Sequence, residues 1–372
     1  MNMASSNMTI IQVLPSLEFG GVEKGAVEIA ESLVNSGHRS IVVSAGGGML
    51  PQLLETGSEH ICLPVGKKSL TSLYLIPKLR AIFNDTDASI VHARSRFPAW
   101  LCFMALKNAR PTNGPYFVTT AHGIYSVNRY SSIMTRGDKV IAVSEFVRKY
   151  IIDNYAQTNV NKISVIPRGI DPSLYSHGYC AGKKWKQLWF GQFPETINKK
   201  LIILPARISR RKGHQEFLEA FSLLPFHNDL HGVIVGGPHK GKQKYLNFLK
   251  NLVNSMGLEK HITFTGHRND LREIMSISDI VLSLSTEPEA FGRTSLEALS
   301  LGVPVIAFDH GGASEVLKTI FPQGLVPINN VDETVSLINK FIAEPPIVEQ
   351  HQAYTLESMQ HKTLSVYKSL VQ

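Results

Sequence analysis

Glu289 and Glu297 have seven residues between them and bracket Phe291-Gly292 and a short polar run, Arg293-Thr294-Ser295. An apolar segment, Ser278 to Leu284, precedes them and reads as a strand. Ala298-Leu299-Ser300-Leu301 follows and reads as a helix. Gly292 therefore falls where a strand gives way to a helix. Backbone N–H groups left unpaired there, together with the helix dipole, favour an anion such as a phosphate. Two carboxylates beside an anion are unfavourable unless they engage neutral hydroxyls. A nucleotide sugar carries both the phosphates and the hydroxyls.

Cations suited to the same anion occur in Pro205 to Gly213, after another apolar run. Arg207 and Lys212 can both point towards the end of that strand. Fixed there, they would neutralise a departing diphosphate with no metal. Arg210 and Arg211 fit a solvated turn better. His122 follows the strand Tyr116–Thr120; a lone histidine is more often structural, but its place at a strand end, with Gly123 after it, favours a site. Gly20 and Gly21 lie between the first strand and a helix, where glycine lets backbone approach a ligand closely. A tight turn without a ligand is the alternative. Arg94 and Arg96, also past a strand end, suit an acidic acceptor or a surface turn.

Other chemistries find less support. Gly-x-Gly-x-x-Gly is not matched, and the second strand ends in Ser44-Ala45 where a dinucleotide site would want an acidic residue. Asp85-Thr86-Asp87 has metal-site spacing but precedes a strand, so it reads as turn and capping residues. No His/Cys/Asp cluster has metal-ligand spacing, and neither a serine nucleophile elbow nor a Walker loop occurs. Metal: none is expected. The net charge of +8 favours anionic partners, yet no nucleic-acid-binding motif accompanies it.

The elements that must position these residues are legible in outline. The 372 residues suggest two domains, and 43% hydrophobic with 18% charged content fits a soluble globular protein. No apolar run approaches a membrane span. Met1 to Thr9 lacks a basic start and a long apolar core, so no secretion signal is expected. Cys62, Cys102 and Cys180 are odd in number and far apart, as reduced thiols in a cytoplasmic protein would be. Strands are expected at 10–14, 39–44, 60–64, 89–93, 116–120, 139–143 and 163–167, with helices at 25–36, 74–84, 99–109 and 145–155. A second series follows at 201–205, 232–235, 262–265, 279–284 and 305–308. This β-α-β alternation predicts an α/β protein with two Rossmann-like halves, each a parallel sheet binding ligand at its carboxyl edge. Between them, Trp185 and Trp189 at helical spacing amid lysines read as a helix docked on the second half, or alternatively as a membrane-surface helix.

Taken in order, these segments resemble the retaining glycosyltransferases of family 4 (GT4), with the GT-B fold. The resemblance rests on Gly20-Gly21, His122-Gly123, Val143-Ser144, Ile166 to Asp171, Arg207 with Lys212-Gly213, Gly266-His267-Arg268, Glu289 to Glu297, and Gly311-Gly312 with Glu315. Arg168 departs from it, since the family commonly has asparagine there. The resemblance implies two parallel-sheet domains facing across a cleft: residues 1–180 on the acceptor side, 181–354 binding the nucleotide sugar, and 355–372 a helix packing back on the first. It implies that Arg207 and Lys212 bind the donor diphosphate and that Glu289 meets hydroxyls of the transferred sugar. Backbone N–H groups of Phe291 and Gly292 would hold sugar and phosphates, and Glu297 the ribose. Gly20 and Gly21 would lie beside the diphosphate and acceptor, His122 near the reacting carbon, and Arg268 near the base.

Arg94 to Trp100 and His122 to Ser126 look like the branch that acts on lipopolysaccharide core. The implied protein is a metal-independent hexosyltransferase with a nucleotide diphosphate sugar as co-substrate and no separate cofactor. Mannose is the implied sugar. Its acceptor would be an anionic glycan or glycolipid, met in the cytoplasm or peripherally at the inner membrane face. A nucleotide-sugar epimerase of the same architecture and a non-catalytic nucleotide-sugar-binding protein are the alternatives.

Overall fold

The structure is a computed structural model and describes residues 7–107, 114–225, 229–238 and 243–372. Its contacts divide the chain into two units, Met1–Gly169 with Leu356–Gln372, and Ile170–Thr355.

The first unit is a seven-stranded sheet: β1 (Thr9–Val13), β2 (Arg39–Ser44), β3 (Glu59–Cys62), β4 (Ile90–Ala93), β5 (Tyr116–Ala121), β6 (Lys139–Ala142) and β7 (Ile163–Val165). Every pairing is parallel, in the order β3-β2-β1-β4-β5-β6-β7. Helices α1 (Gly21–Asn35), α2 (Leu50–Glu55), α3 (Leu75–Asp85), α4 (Arg96–Lys107) and α5 (Glu145–Asn154) connect the strands. The expected helix 99–109 is α4 in part; its last two positions lie outside the described residues. Asp85 ends α3, Thr86 caps it by bonding Ile82 O at 2.7 Å, and Asp87 turns at φ 48°, so the Asp-x-Asp run is a helix terminus.

A parallel sheet buries both faces, so its strands alternate between two apolar layers. Ile11, Val13, Val91 and Ala93 pack beneath α3 and α4 with Leu79, Phe83, Leu101 and Cys102. Ile10, Ile90 and Val118 face the other way, onto Ile29 and Leu33 of α1 and onto the terminal helix Leu356–Val371. That last helix presents Met359, Thr363, Val366 and Tyr367 on one buried stripe, as a period of 3.6 requires.

The second unit has six parallel strands: β8 (Lys200–Pro205), β9 (Leu230–Val235), β10 (Ile262–Gly266), β11 (Ile280–Ser283), β12 (Val305–Phe308) and β13 (Leu325–Val326), in the order β10-β9-β8-β11-β12-β13. Its helices are α6 (Lys183–Gln192), α7 (His214–Ser222), α8 (Gln243–Ser255), α9 (Leu271–Ser276), α10 (Arg293–Ser300), α11 (Gly311–Ile320) and α12 (Val331–Ala343). The unit begins at Ile170, eleven residues before the start expected at 181, and hydrogen bonding accounts for the difference. Ile170 N–H donates to Tyr354 O at 3.0 Å, Gly178 N–H to Leu301 O at 3.0 Å, and Arg272 to Leu174 O at 3.2 Å. The tryptophans of α6 dock on their own unit: Trp189 is 1% exposed, stacks on Trp185 at 5.5 Å and donates to Thr196 Oγ1 at 3.1 Å.

Each sheet reverses its strand order once, between β1 and β4 and between β8 and β11. Chain connections leave in opposite directions at such a point, which opens a crevice at the carboxyl edge. Gly213 controls the turn after β8. Its φ is 72°, and a Cβ there would fall far inside contact with the Leu284 carbonyl at the end of β11. Gly213→Ala should therefore cost a few kcal/mol through strain and displaced backbone, readable as a lowered urea midpoint.

Candidate functional site

The second unit gathers its expected residues around the reversal between β8 and β11. After β8 the chain makes a single tight turn, Arg210–Lys212, before α7. The loop after β11 is stitched to that turn: Thr286 N–H donates to Arg211 O at 3.0 Å, and Arg211 pairs with Glu287 at 3.1 Å. Arg207 is exposed before the turn. Its main chain is pressed against Gly236 at the end of β9, where a Cβ would lie 3.2 Å from Arg207 N.

Lys212 Nζ meets Glu289 Oε1 at 2.6 Å, both side chains being less than a third exposed. Ser285 Oγ donates to the same oxygen at 2.5 Å. Burial pushes the Glu289 carboxyl up, but the Lys212 charge and the hydrogen bonds from Lys212 and Ser285 outweigh it and hold it below its ordinary value. The carboxylate is thus ionised and fixed at neutral pH.

Two helix N-termini converge behind Glu289. Gly292 takes the left-handed conformation (φ 83°, ψ 44°) that caps α10, and α11 begins at Gly311 (φ 65°) after His310. Gly312 N–H donates to Glu289 O at 2.7 Å, and His310 Nε2–H to Ser285 O at 2.5 Å. A Cβ on Gly312 would lie 2.5 Å from Phe291 N; one on Gly292 would lie 2.5 Å from Ala313 Cα. Only glycines let these main chains touch. Phe291 is buried, its ring edge-on to Tyr354 at 5.4 Å, so its side chain wedges the loop.

Glu297 lies one turn into α10 and is buried. It accepts from Arg293 Nε at 3.2 Å and from the Tyr175 hydroxyl, whose phenol is pushed up by burial and by this carboxylate. Arg268 is committed elsewhere than expected. It forks onto Asp270 at 2.9 and 2.6 Å, donates to Gln192 at 3.1 Å, and lies over the rings of Trp189 and Phe193. Trp185 donates to the same Asp270 at 2.7 Å. The guanidinium is a clasp for α6. Arg268→Ala should lower unfolding stability by about 1–3 kcal/mol, as expected for a charged hydrogen-bonding group lost from a part-buried pair, measured in urea.

In the first unit, Gly20 caps α1 with extended backbone and is exposed with Gly21. A Cβ on Gly21 would meet nothing within 4 Å. The glycine that the loop itself needs is Gly47, which sequence reasoning passed over. Its φ is 147°, and a Cβ there would lie 2.7 Å from Glu18 N.

His122 follows β5 by one residue. Its Nδ1 is bonded by the guanidinium of Arg168, its main-chain N–H donates to the Tyr125 hydroxyl at 3.3 Å, and its Nε2 is buried without a protein partner. Burial first, then Arg168, Arg94 and His92, hold its pKa well below the ordinary imidazole value.

Arg94 and Arg96 part company. Arg94 is 2% exposed and bonds Gln12 Oε1 at 2.6 Å and the Tyr367 hydroxyl. Its role as an acceptor-binding arginine is corrected on that ground: the guanidinium is sealed within the sheet and terminal-helix layer. Arg96 is part-exposed, bonds Ser131 at 3.0 Å, and lies over the rings of Tyr125 and Tyr130. Around Arg94, Tyr367 also bonds His92 Nδ1 at 2.6 Å, and His92 Nε2 meets Thr120 at 2.6 Å. Polar residues inside apolar strands, Gln12 and His92, were the available signal for this network.

Residues 19–174 match the family described as Glycosyltransferase Family 4, and residues 186–357 match Glycosyl transferases group 1. The chain is 31% identical over 329 residues to N-acetyl-alpha-D-glucosaminyl L-malate synthase of Bacillus anthracis, covering 83% of this chain and 80% of that one. A glycosyltransferase structure from Rickettsia africae superposes with a TM-score of 0.86 at 31% identity, over 99% of both chains. HepE of Anabaena in complex with UDP and glucose does so at 0.83 and 22% identity, over 98% of this chain and 100% of that one, and speaks for the fold alone. Other curated relatives are matched over only part of their length, from 38% to 62%. With both domain families present in order and four-fifths of a 31% identical relative covered, the chain belongs to the GT-B glycosyltransferases that join a family 4 domain to a group 1 domain.

Proposed function

We propose that this protein moves a hexose from a nucleotide diphosphate sugar to a glycan or glycolipid acceptor, with retention of configuration. The observation that carries the reading is the Lys212–Glu289 pair, set beside two glycine-led helix N-termini at the strand reversal of the second unit. Lys212 and Arg207 supply positive charge for the diphosphate, and the α10 terminus supplies N–H donors. Glu289, ionised and held by two partners, accepts from sugar hydroxyls. Glu297 takes the ribose hydroxyls by exchanging a present partner, Tyr175 or Arg293. Base contact falls to the main chain near Gly266 and His267, because the Arg268 guanidinium is occupied.

The diphosphate leaves towards fixed cations and helps take the acceptor proton from the same face, so electrostatics carry the catalysis and the mechanism calls for no metal. His122 in the first unit meets the sugar near its reacting carbon. Gly20 and Gly21 leave room for diphosphate and acceptor. Arg96, braced on two tyrosines, is the remaining candidate for an acidic acceptor. The motif resemblance points that acceptor towards lipopolysaccharide core, at the cytoplasmic face of the inner membrane, with mannose as donor sugar. Among the described residues no helix is long and apolar enough to cross a membrane, which is compatible with peripheral contact.

A thermal-shift screen of nucleotide sugars followed by product mass with a deacylated core acceptor tests the reading. Stabilisation by one sugar nucleotide and a product heavier by one hexose, with the anomeric coupling of the donor, is expected. An epimer accumulating from donor alone would replace transfer by epimerisation. No response to any sugar nucleotide would remove the reading.

A further inference from the structure

We propose that Arg168 is a positioning residue for His122, holding the ring as the neutral tautomer with its proton on Nε2, so that it serves only as a hydrogen-bond donor. A guanidinium has N–H groups and no acceptor. Arg168 Nη2 bonds His122 Nδ1, so that ring nitrogen presents its lone pair. A neutral imidazole with an accepting Nδ1 carries its proton on Nε2. That Nε2 is buried and finds no partner in the protein, which leaves a buried donor aimed at something the protein does not supply.

The surroundings hold Arg168 in place. It follows β7 and is buried. Its Nη1 lies 3.9 Å from Met359 Sδ on the terminal helix. A Cβ on Gly25 of α1 would lie 2.5 Å from Nη1 and 3.1 Å from Cζ. Gly25 has no unusual backbone angle, so what a side chain there would do is push the guanidinium out of its present place. The charged and titratable groups around His122 are Arg168, Arg94, His92 and Tyr125. Among the described residues, no carboxylate is one of the groups acting on the His122 ring. Glu28 acts on Arg94 behind them. A second proton on His122 would face the guanidinium directly, so the ring stays neutral through the acid range in which an ordinary histidine charges.

The consequence for the proposed reaction, on which this part rests, is selectivity. A donor at Nε2 recognises a sugar oxygen and does not remove a proton. His122 therefore orients the transferred sugar and leaves proton removal to the departing phosphate.

The test is ring ¹⁵N–¹H correlation spectroscopy of His122 in the full chain, from pH 7.5 to 5. The unaltered protein should show one neutral tautomer, protonated at Nε2, throughout. Arg168→Leu should bring mixed tautomers and an upward shift of the ring's titration, with burial and Arg94 still holding it below the ordinary histidine value. It should also lower kcat by about 10-fold or more, as loss of an oriented donor does, with a new acid limb in the pH profile. Arg168→Lys, which keeps a donor and a charge, should restore the Nε2–H signature. A proton on Nδ1 in the unaltered protein, or titration near 6.5, overturns the proposal without any variant having to fold. An unchanged ring spectrum in Arg168→Leu overturns it also. If the tautomer is as stated but a stabilising sugar nucleotide leaves the Nε2–H resonance unmoved, the positioning role stands and the sugar contact fails.

Discussion

Lys212→Ala is expected to lower turnover by on the order of 10²-fold or more, the loss typical of a preorganised charge contact. Two effects combine. The diphosphate loses a cation where its charge develops. The Glu289 carboxylate, now bonded by Ser285 alone among these two partners, points an unneutralised charge at the same place. Donor affinity should therefore fall along with kcat. The double variant Lys212→Ala/Glu289→Gln separates the effects, because it removes the stranded charge. Donor binding should partly return, measured by calorimetry, while product formation stays low. Arg207→Ala should also lower turnover by a comparable order. Near-normal turnover in both single variants, with unchanged melting, would falsify the assignment of this pair to the leaving group.

Acid should weaken the second unit well above the range where carboxylates titrate. His214 and His231 are both buried, and burial lowers each to about 4. His214 Nδ1–H donates to Ser209 O at 3.2 Å while its Nε2 has no partner; His231 Nε2 bonds Thr263 at 2.9 Å. Once unfolded, each should protonate near 6.5. Between 6.5 and 4 the unfolded chain holds protons that the folded one does not, so stability falls as pH falls. At pH 5 the loss is about 2 kcal/mol for each histidine. Urea midpoints at pH 7.5 and 5 should differ accordingly, and His231→Gln should flatten part of the slope. Equal midpoints for the unaltered protein at both pH values would count decisively against neutral burial. Glu289 acts in the opposite range. Its depressed pKa contributes stability above the ordinary carboxylate value, lost as pH drops through the lowered one.

The two sheets were legible in the sequence because parallel strands buried on both faces read as short apolar runs between helical stretches. Leu325-Val326 was not: two residues between Gly324 and Pro327 carry no period. The boundary near 170 escaped for a similar reason, since Ile170, Leu174 and Gly178 are tied by main-chain bonds that leave no pattern of residue types. Glu289, Lys212 and Gly292 announced themselves by type, spacing and a strand-to-helix change. Arg268 was placed near the base by the family resemblance, while Asp270, two residues on, pairs with its guanidinium. Arg94 looked like a surface turn or an acceptor contact. Its burial depends on Gln12 and Tyr367, both far away in the chain, and no local window contains them.

The helix Leu356–Val371 belongs to the first unit although the whole second unit separates it in sequence from the strands it covers. The second unit is one continuous segment, whereas the first needs both ends of the chain. During synthesis the earlier-made sheet waits, with Met8, Ile10, Ile90 and Val118 lacking the cover of Met359 and Leu364, and with His92 and Arg94 lacking Tyr367. The second unit can thus close on one continuous segment, whereas the first closes only when a helix from beyond the whole second unit docks on its sheet. A chain cut short near its end would carry a finished nucleotide-binding candidate and an open, sticky sheet, the kind of intermediate that chaperones must shield.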